Sequence, residues 1–343
     1  MSLPPRIEGL ERPTDGALID PYGRVHTYLR VSVTDRCNYR CTYCMPAAGL
    51  RWMPREHLLS FEEIARIVAV FASMGVRKVR LTGGEPTVRS GLEDLVSQLS
   101  SIEGIEDLAM TTNGHLFARR AEAFALAGLD RINVSIDSVD PVQFRELTRG
   151  GELQRVLDAI EAARRARLRP VKLNCVVIRG TNDDQITAMV EAFADRPDVV
   201  VRFIEFMPFS AVQRRRQHLP AAQMRARLEA RYTLSPLGQR AGGGPAIEWR
   251  LEETGQRVGF ISPITEHFCH ACDRLRLQAD GHLRTCLSRE AAPSLREILR
   301  GGASDAELAQ HLRERLWAKV AGHEAHLDGG SRAFEGAMTS VGG

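Results

Sequence analysis

From residue 29 onward the apolar positions of this chain fall into two alternating rhythms. Short runs with strand character lie at 29–33, 79–82, 108–111, 131–136, 171–178 and 199–206. Between them apolar residues recur at helical spacing. Phe61, Ile64, Ala65, Val68 and Phe71 share one helix face, opened by a capping box of Ser60 and Glu63 and stopped at Gly75. Ser90 and Glu93 form a second box ahead of Leu92, Leu95, Val96 and Leu99. A helix over 116–127 stops at Gly128, another carries Leu153, Val156, Leu157 and Ile160, and a third carries Ile186, Met189, Val190 and Phe193. Six strand–helix rounds predict parallel pairing with helices outside. An open doubly wound sheet and a barrel both satisfy this rhythm. Polar residues cluster where strands end, at Cys37, Gly84, Thr111, Ser135 and Met207. That placement fits a cup with its site at the C-terminal mouth.

The rhythm breaks on both sides of this region. Residues 1–26 are polar and rich in Pro and Gly, which predicts a flexible lead-in before a body at 27–208. After Pro208 come a basic loop, a helix near 220–230, a glycine turn at Gly242 to Gly244 and a hairpin over 247–262. A smaller C-terminal region is therefore expected over 209–343.

Composition narrows the class. With 43% hydrophobic and 26% charged residues the chain is globular, and its net charge of +3 is too mild for nucleic acid or an anionic membrane. No apolar run approaches membrane-spanning length, and the N-terminal residues lack an apolar leader. The seven cysteines are an odd number, in two tight groups plus Cys175. A secreted disulfide framework would be even, so a reduced, cytoplasmic compartment is the expectation.

The first group, Cys37, Cys41 and Cys44, follows the first strand with spacing C-x3-C-x2-C. Three thiols suit an iron–sulfur cluster with one open iron; structural zinc wants four ligands. The second group, Cys269, Cys272 and Cys286, also offers three. Spacing alone leaves open a zinc site completed by His267, His270 or His282. Between these cysteines Arg274 and Arg276 stand two apart, so a strand points both to one face, as an anion would require. Gly83 and Gly84 let backbone approach a ligand closely, and the Glu85 carboxylate is placed to receive an ammonium group.

In combination these motifs carry a resemblance. The C-x3-C-x2-C with Tyr43 before its last cysteine, and the Gly83-Gly84-Glu85-Pro86 turn, resemble the radical S-adenosylmethionine (SAM) superfamily. The Thr111-Thr112-Asn113-Gly114 turn, C-x2-C-x-R-x-R-x9-C and a terminal Gly342-Gly343 resemble, within it, the GTP 3′,8-cyclases of molybdenum cofactor biosynthesis. The resemblance implies an α/β fold, a partial six-fold (β/α) barrel whose mouth is closed by a C-terminal region carrying a second cluster. It implies two 4Fe–4S clusters, on Cys37, Cys41 and Cys44 and on Cys269, Cys272 and Cys286. SAM would be held by Tyr43, Gly84, Glu85, Ser135 and Met207. GTP would be held by Arg30, Arg80, Thr111, Lys172, Arg274 and Arg276, with Gly342 and Gly343 threading into the site. The implied reaction removes the 3′ hydrogen of GTP and joins C3′ to C8, giving 3′,8-cyclo-7,8-dihydro-GTP, with Arg274 and Arg276 assisting catalysis. Implied partners are a flavodoxin-like electron donor, a downstream cyclic pyranopterin monophosphate synthase and a second copy in a homodimer. Two rivals stand beside it: a radical SAM enzyme acting on a peptide, and a zinc- or nucleic-acid-binding module.

Overall fold

The computed structural model describes residues 3–207, 216–238, 244–287 and 293–322. Six strands appear where the apolar runs place them: β1 (Tyr28–Ser32), β2 (Lys78–Thr82), β3 (Asp107–Thr112), β4 (Arg131–Ser135), β5 (Val171–Val177) and β6 (Val199–Glu205). They pair in sequence order and all in parallel. The intervening chain supplies α1 (Phe61–Ser73), α2 (Leu92–Ser100), α3 (Ala121–Leu126), α4 (Pro141–Thr148), α5 (Leu153–Arg165) and α6 (Gln185–Glu191). Outward strand residues such as Leu29, Val79, Leu108, Ile132 and Leu173 are buried with Ile64, Phe71, Leu95 and Ile160 of these helices. Apolar residues thus form a shell between sheet and helices, which leaves the concave face for polar ones.

The sheet curls into a half-barrel and does not close on itself. Instead the C-terminal region adds strands to both edges: β7 (Leu234–Gly238), β8 (Ile247–Leu251), β9 (Arg257–Ile261), β10 (Arg274–Leu277) and β11 (Leu283–Arg284). The full order is β11-β10-β1-β2-β3-β4-β5-β6-β9-β8-β7. Both β9 on β6 and β10 on β1 run parallel, while the expected hairpin is the antiparallel β8–β9 pair. The described residues of this region also include α7 (Ala221–Glu229), α8 (Leu295–Arg300) and α9 (Asp305–Trp317). Among the described residues no helix is long and apolar enough to cross a membrane.

Local capping signals are realised only in part. The Ser60–Glu63 capping box forms as expected. The Ser90–Glu93 box does not: Gly91, with φ +68°, caps α2 without a side-chain bond, because Glu93 pairs with Arg120 instead. The helix expected over 116–127 splits into a 3₁₀ turn and the short α3. Helix α4 was not anticipated, although Asp140 and Pro141 are an ordinary cap and first-turn pair.

The lead-in needs correction. Its last part, from Leu18, is packed, with Leu18, Asp20 and His26 all buried and an antiparallel bridge between Ile19 and Val25. The polar residues there are inward-facing partners of one another, and composition alone reads such a stretch as loop.

Candidate active site

Three loops at the C-terminal ends of β1, β2 and β3 interlock. A Cβ on Gly83 or Gly84 would collide with the carbonyl oxygens of Thr34 or Arg36, and Gly84 and Glu85 donate backbone N–H bonds to these same oxygens. The glycines therefore let the second loop lie flush against the cysteine loop. The buried Glu85 carboxylate accepts from the Thr87 N–H (3.1 Å), the Thr87 hydroxyl (2.5 Å), the Thr112 hydroxyl (2.7 Å) and the Asn113 N–H (2.6 Å). Burial lifts its pKa, against the pull of those donors. Its first task is thus to fasten the second loop to the third. Asn113 continues the chain of contacts, donating through Nδ2 to Asn38 Oδ1 (2.8 Å) and to Cys37 Sγ (4.0 Å).

Cys37, Cys41 and Cys44 lie half-buried on this platform. Arg40, between them, donates to the carbonyls of Cys37 (2.7 Å) and Tyr39 (3.0 Å) and stacks over Trp52. Burial pushes the Cys37 thiol up to about 11 and raises the Cys41 thiol well above its ordinary value, with Asp137, Cys44 and Cys37 adding to the latter. The three sulfurs therefore sense one another, and ionising them together calls for a compensating cation. Tyr43 donates its hydroxyl to Asp137 Oδ2 (2.7 Å), whose other oxygen accepts from the Val176 N–H (2.8 Å). Burial raises Asp137 to about 6 although both bonds pull it down. Ser135 and Met207 are half-buried at the same rim.

Below this rim the concave face is cationic. In register, Arg276, Arg30, Arg80, Ala109 and Arg131 form one row across β10, β1, β2, β3 and β4. The next row holds Thr111, Asn133 and Lys172; the one after, Ser135, Asn174 and Arg202. Burial holds Arg30 well below its ordinary value, and Arg276, Arg80 and Arg274 add to the effect. Lys172 is brought to about 7 by burial and then by Arg202, Arg131 and Arg80; Arg202 falls to about 9 for the same reasons. Arg80 leans on the Tyr28 hydroxyl and Arg131 on Asp107. Arg80 Nη1, Arg131 Nη1, Arg202 Nε and the Thr111 hydroxyl are buried without a hydrogen-bond partner. So many buried cations with spare donors describe a receptor for a polyanion.

The second triad borders this lumen. Cys269 and Cys272 bracket a 3₁₀ turn and Cys286 follows β11. Burial would raise Cys272, yet Arg274 and Lys319 outweigh it and bring the thiol to about 6. Arg274 Nη2 lies 3.8 Å from Cys272 Sγ, with its guanidinium over Phe268. Among the described residues no three His, Cys, Asp or Glu side chains gather where a single metal ion could be held.

The comparisons with known proteins now decide the family. Residues 31–193 match the Radical SAM superfamily and residues 199–325 match Molybdenum Cofactor Synthesis C. The chain is 47% identical over 307 residues to a GTP 3′,8-cyclase of Pelotomaculum thermopropionicum, covering 89% of this chain and 94% of that one. It is 44% identical to a GTP 3′,8-cyclase of Mycobacterium sp. (strain KMS), covering 96% and 95%. The chain belongs to the GTP 3′,8-cyclase family. A mitochondrial relative from Arabidopsis thaliana is 43% identical, with 93% and 82% covered. Among solved structures, SuiB of Streptococcus suis has a TM-score of 0.60 at 14% identity, covering 85% of this chain and 69% of that one; this likeness speaks for the fold alone. Membership makes the chain a radical SAM enzyme, with 4Fe–4S clusters and SAM as its cofactors.

The residues present fit those cofactors. Each triad is an all-thiol donor set, as iron–sulfur clusters take, and the first lies beside the glycine turn. Sequence reading found five of the lumen cations and missed Arg131 and Arg202. Arg202 carried a signal, a lone charge inside the apolar run Val199-Val200-Val201 and Phe203-Ile204. Asp137, just past the run at 131–136, is not singled out by any sequence motif, and Asn113 is legible only as part of one. Gly342 and Gly343 lie outside the described residues.

Proposed function

We propose that the buried cationic rows are where this enzyme holds the triphosphate of GTP. Seven cations, Arg30, Arg80, Arg131, Lys172, Arg202, Arg274 and Arg276, border one lumen; burial and neighbouring cations lower the proton affinity of Arg30, Lys172, Arg202 and Arg276, while Arg80 leans on Tyr28, Arg131 on Asp107 and Arg274 on Cys272. That arrangement is costly with nothing between them and favourable around three or four phosphate charges. It is the observation that carries the assignment of GTP, and it disfavours a peptide as substrate. In this reading the enzyme catalyses the reaction its relatives are named for, forming the C3′–C8 bond of 3′,8-cyclo-7,8-dihydro-GTP early in molybdenum cofactor biosynthesis.

Cys37, Cys41 and Cys44 would hold the cluster that takes SAM, with Tyr43, Gly84, Glu85, Ser135 and Met207 around SAM itself. When bound, that pair of cofactors supplies an electron and a 5′-deoxyadenosyl radical for hydrogen abstraction. The chain's own work is placement. The interlocked loops fix the height of the cysteines over the lumen, and Asp137 orients Tyr43. Cys269, Cys272 and Cys286 would hold the second cluster at the lumen wall, beside Arg274 and Arg276. In this reading Arg274 and Arg276 serve the guanine end of GTP and stabilise charge that develops there, leaving the triphosphate to the other five cations. The strands added at both edges extend the walls of the half-barrel around the lumen, which helps to shield a reactive intermediate from water. A flavodoxin-like donor supplies electrons and a cyclic pyranopterin monophosphate synthase consumes the product.

The test is anaerobic. After reconstitution with iron and sulfide, reduction, and addition of SAM and GTP, 5′-deoxyadenosine and a cyclised guanine product should form together. Cleavage of SAM indifferent to GTP, with no guanine product, would sink the substrate assignment.

A further inference from the structure

The packed N-terminal segment has a destination. Arg24 is buried, and its guanidinium donates to three carbonyl oxygens far away in sequence: Cys269 and Ala321 through Nη1, both at 2.7 Å, and Val320 through Nη2 at 2.9 Å. Its Nε is held by Asp20 Oδ2 at 2.6 Å, and the same oxygen meets His26 Nε2 at 3.0 Å. Burial would raise Asp20, but the bonds from His26 and Arg24 hold it at about 2, while burial takes His26 down to about 4. The pair is therefore an ionised Asp20 and a neutral His26, which fixes the direction in which Arg24 points.

The chain it grips after α9 runs along the second triad. Lys319 Nζ donates to the carbonyls of Arg274 (3.1 Å) and Thr285 (2.5 Å), each beside or near a triad cysteine. Gly322 lies so close that a Cβ there would sit 3.1 Å from Cys269 Sγ. Neither Arg24 nor Asp20 belongs to a cysteine motif.

We propose that Arg24, aimed by Asp20, is a positioning residue for the second cysteine triad, tying the Cys269 loop to the root of the C-terminal segment. It rests on the assignment of a second cluster to Cys269, Cys272 and Cys286. A guanidinium suits the task because its planar fork reaches several carbonyls at fixed angles, which an ammonium cannot reproduce. The N-terminal segment is in this way the back wall of a site otherwise built from the other end of the chain.

The test compares the wild-type chain with Arg24→Ala and Arg24→Lys, each also in a background where Cys37, Cys41 and Cys44 are alanine. Iron content and the electron paramagnetic resonance signal of the reduced protein are read after anaerobic reconstitution. In the background only the second cluster contributes, with about four irons. The expected result is that Arg24→Ala loses more than half of that iron, or shifts its signal, and that Arg24→Lys recovers part of it. In the chain with all cysteines, the first cluster's signal and SAM cleavage without GTP stay within about twofold of wild type. An unchanged second-cluster signal in Arg24→Ala overturns the proposal. So does equal loss of both clusters, since that is general unfolding. A wild-type chain that itself binds only about four irons overturns the two-cluster assignment first, and this proposal with it.

Discussion

The two cysteine triads have the same number of thiols and opposite surroundings. The first sits near carboxylates: Asp137 raises Cys41 and Glu85 raises Cys37, on top of burial. The second sits near cations, and Arg274 with Lys319 brings Cys272 to about 6 against its burial. Burial alone would have made the two alike, so the sign of the neighbouring charge separates them. Cys37 and Cys41 keep their protons until a metal displaces them. Cys272 is ionised beforehand, and one of the cations that ionise it, Arg274, also borders the lumen. One triad is thus tied to the rim loops and the other to the substrate floor.

Removing a ligand from each triad gives the largest contrast. Cys41→Ala should bring SAM cleavage below detection, whereas Cys272→Ala should keep cleavage and lose the cyclised product, both read by mass spectrometry. If the two variants lose both activities alike, the division of labour is wrong. Arg274→Ala should come next. It should spare SAM cleavage and lower cyclisation by about 10²- to 10³-fold, as expected for removing a donor to developing charge; equal loss of both with clusters intact counts against its role.

Lys172→Met should weaken GTP binding by about 10- to 100-fold, the range for a charge-assisted hydrogen bond, measured by calorimetry. The sign with pH follows from its value of about 7. Rising pH removes the charge from the unliganded enzyme, so wild-type affinity should fall through neutrality and the variant should be flat. The same depressed value means that protonated Lys172 opposes folding. That penalty is full below pH about 7 and fades as pH climbs toward the unfolded value. The substrate-free variant should accordingly melt several degrees higher at pH 6. The smallest effect is expected from Tyr43→Phe, which removes the bond to Asp137. A loss of about 1 kcal/mol should raise the KM for SAM about fivefold and leave GTP binding unchanged.

The six parallel strands were legible because each is an apolar run with helical spacing between runs. The cysteines and the glycine turn could be named because their motifs sit at strand ends, whereas Arg30, Arg80 and Lys172 could be named only through the family resemblance. What stayed hidden depends on contacts between distant segments. Glu85 reads as a ligand for an ammonium group, yet its carboxylate is occupied by Thr87, Thr112 and Asn113. Arg24 sits in a stretch whose composition suggests loop, and its partners are carbonyls nearly 300 residues away. Backbone carbonyls carry no sequence signature. The same is true of β10 on β1, a pairing that no local pattern announces.

That pairing, with β9 on β6, bears on how the molecule is made. During synthesis all six parallel strands leave the ribosome before either covering strand exists, since β9 begins at Arg257 and β10 at Arg274. A nascent chain that has reached residue 207 has two bare sheet edges, each a template for pairing with another chain. The C-terminal strands cover those edges, so a chain that ends before Leu277 leaves at least one of them open to pairing with another chain.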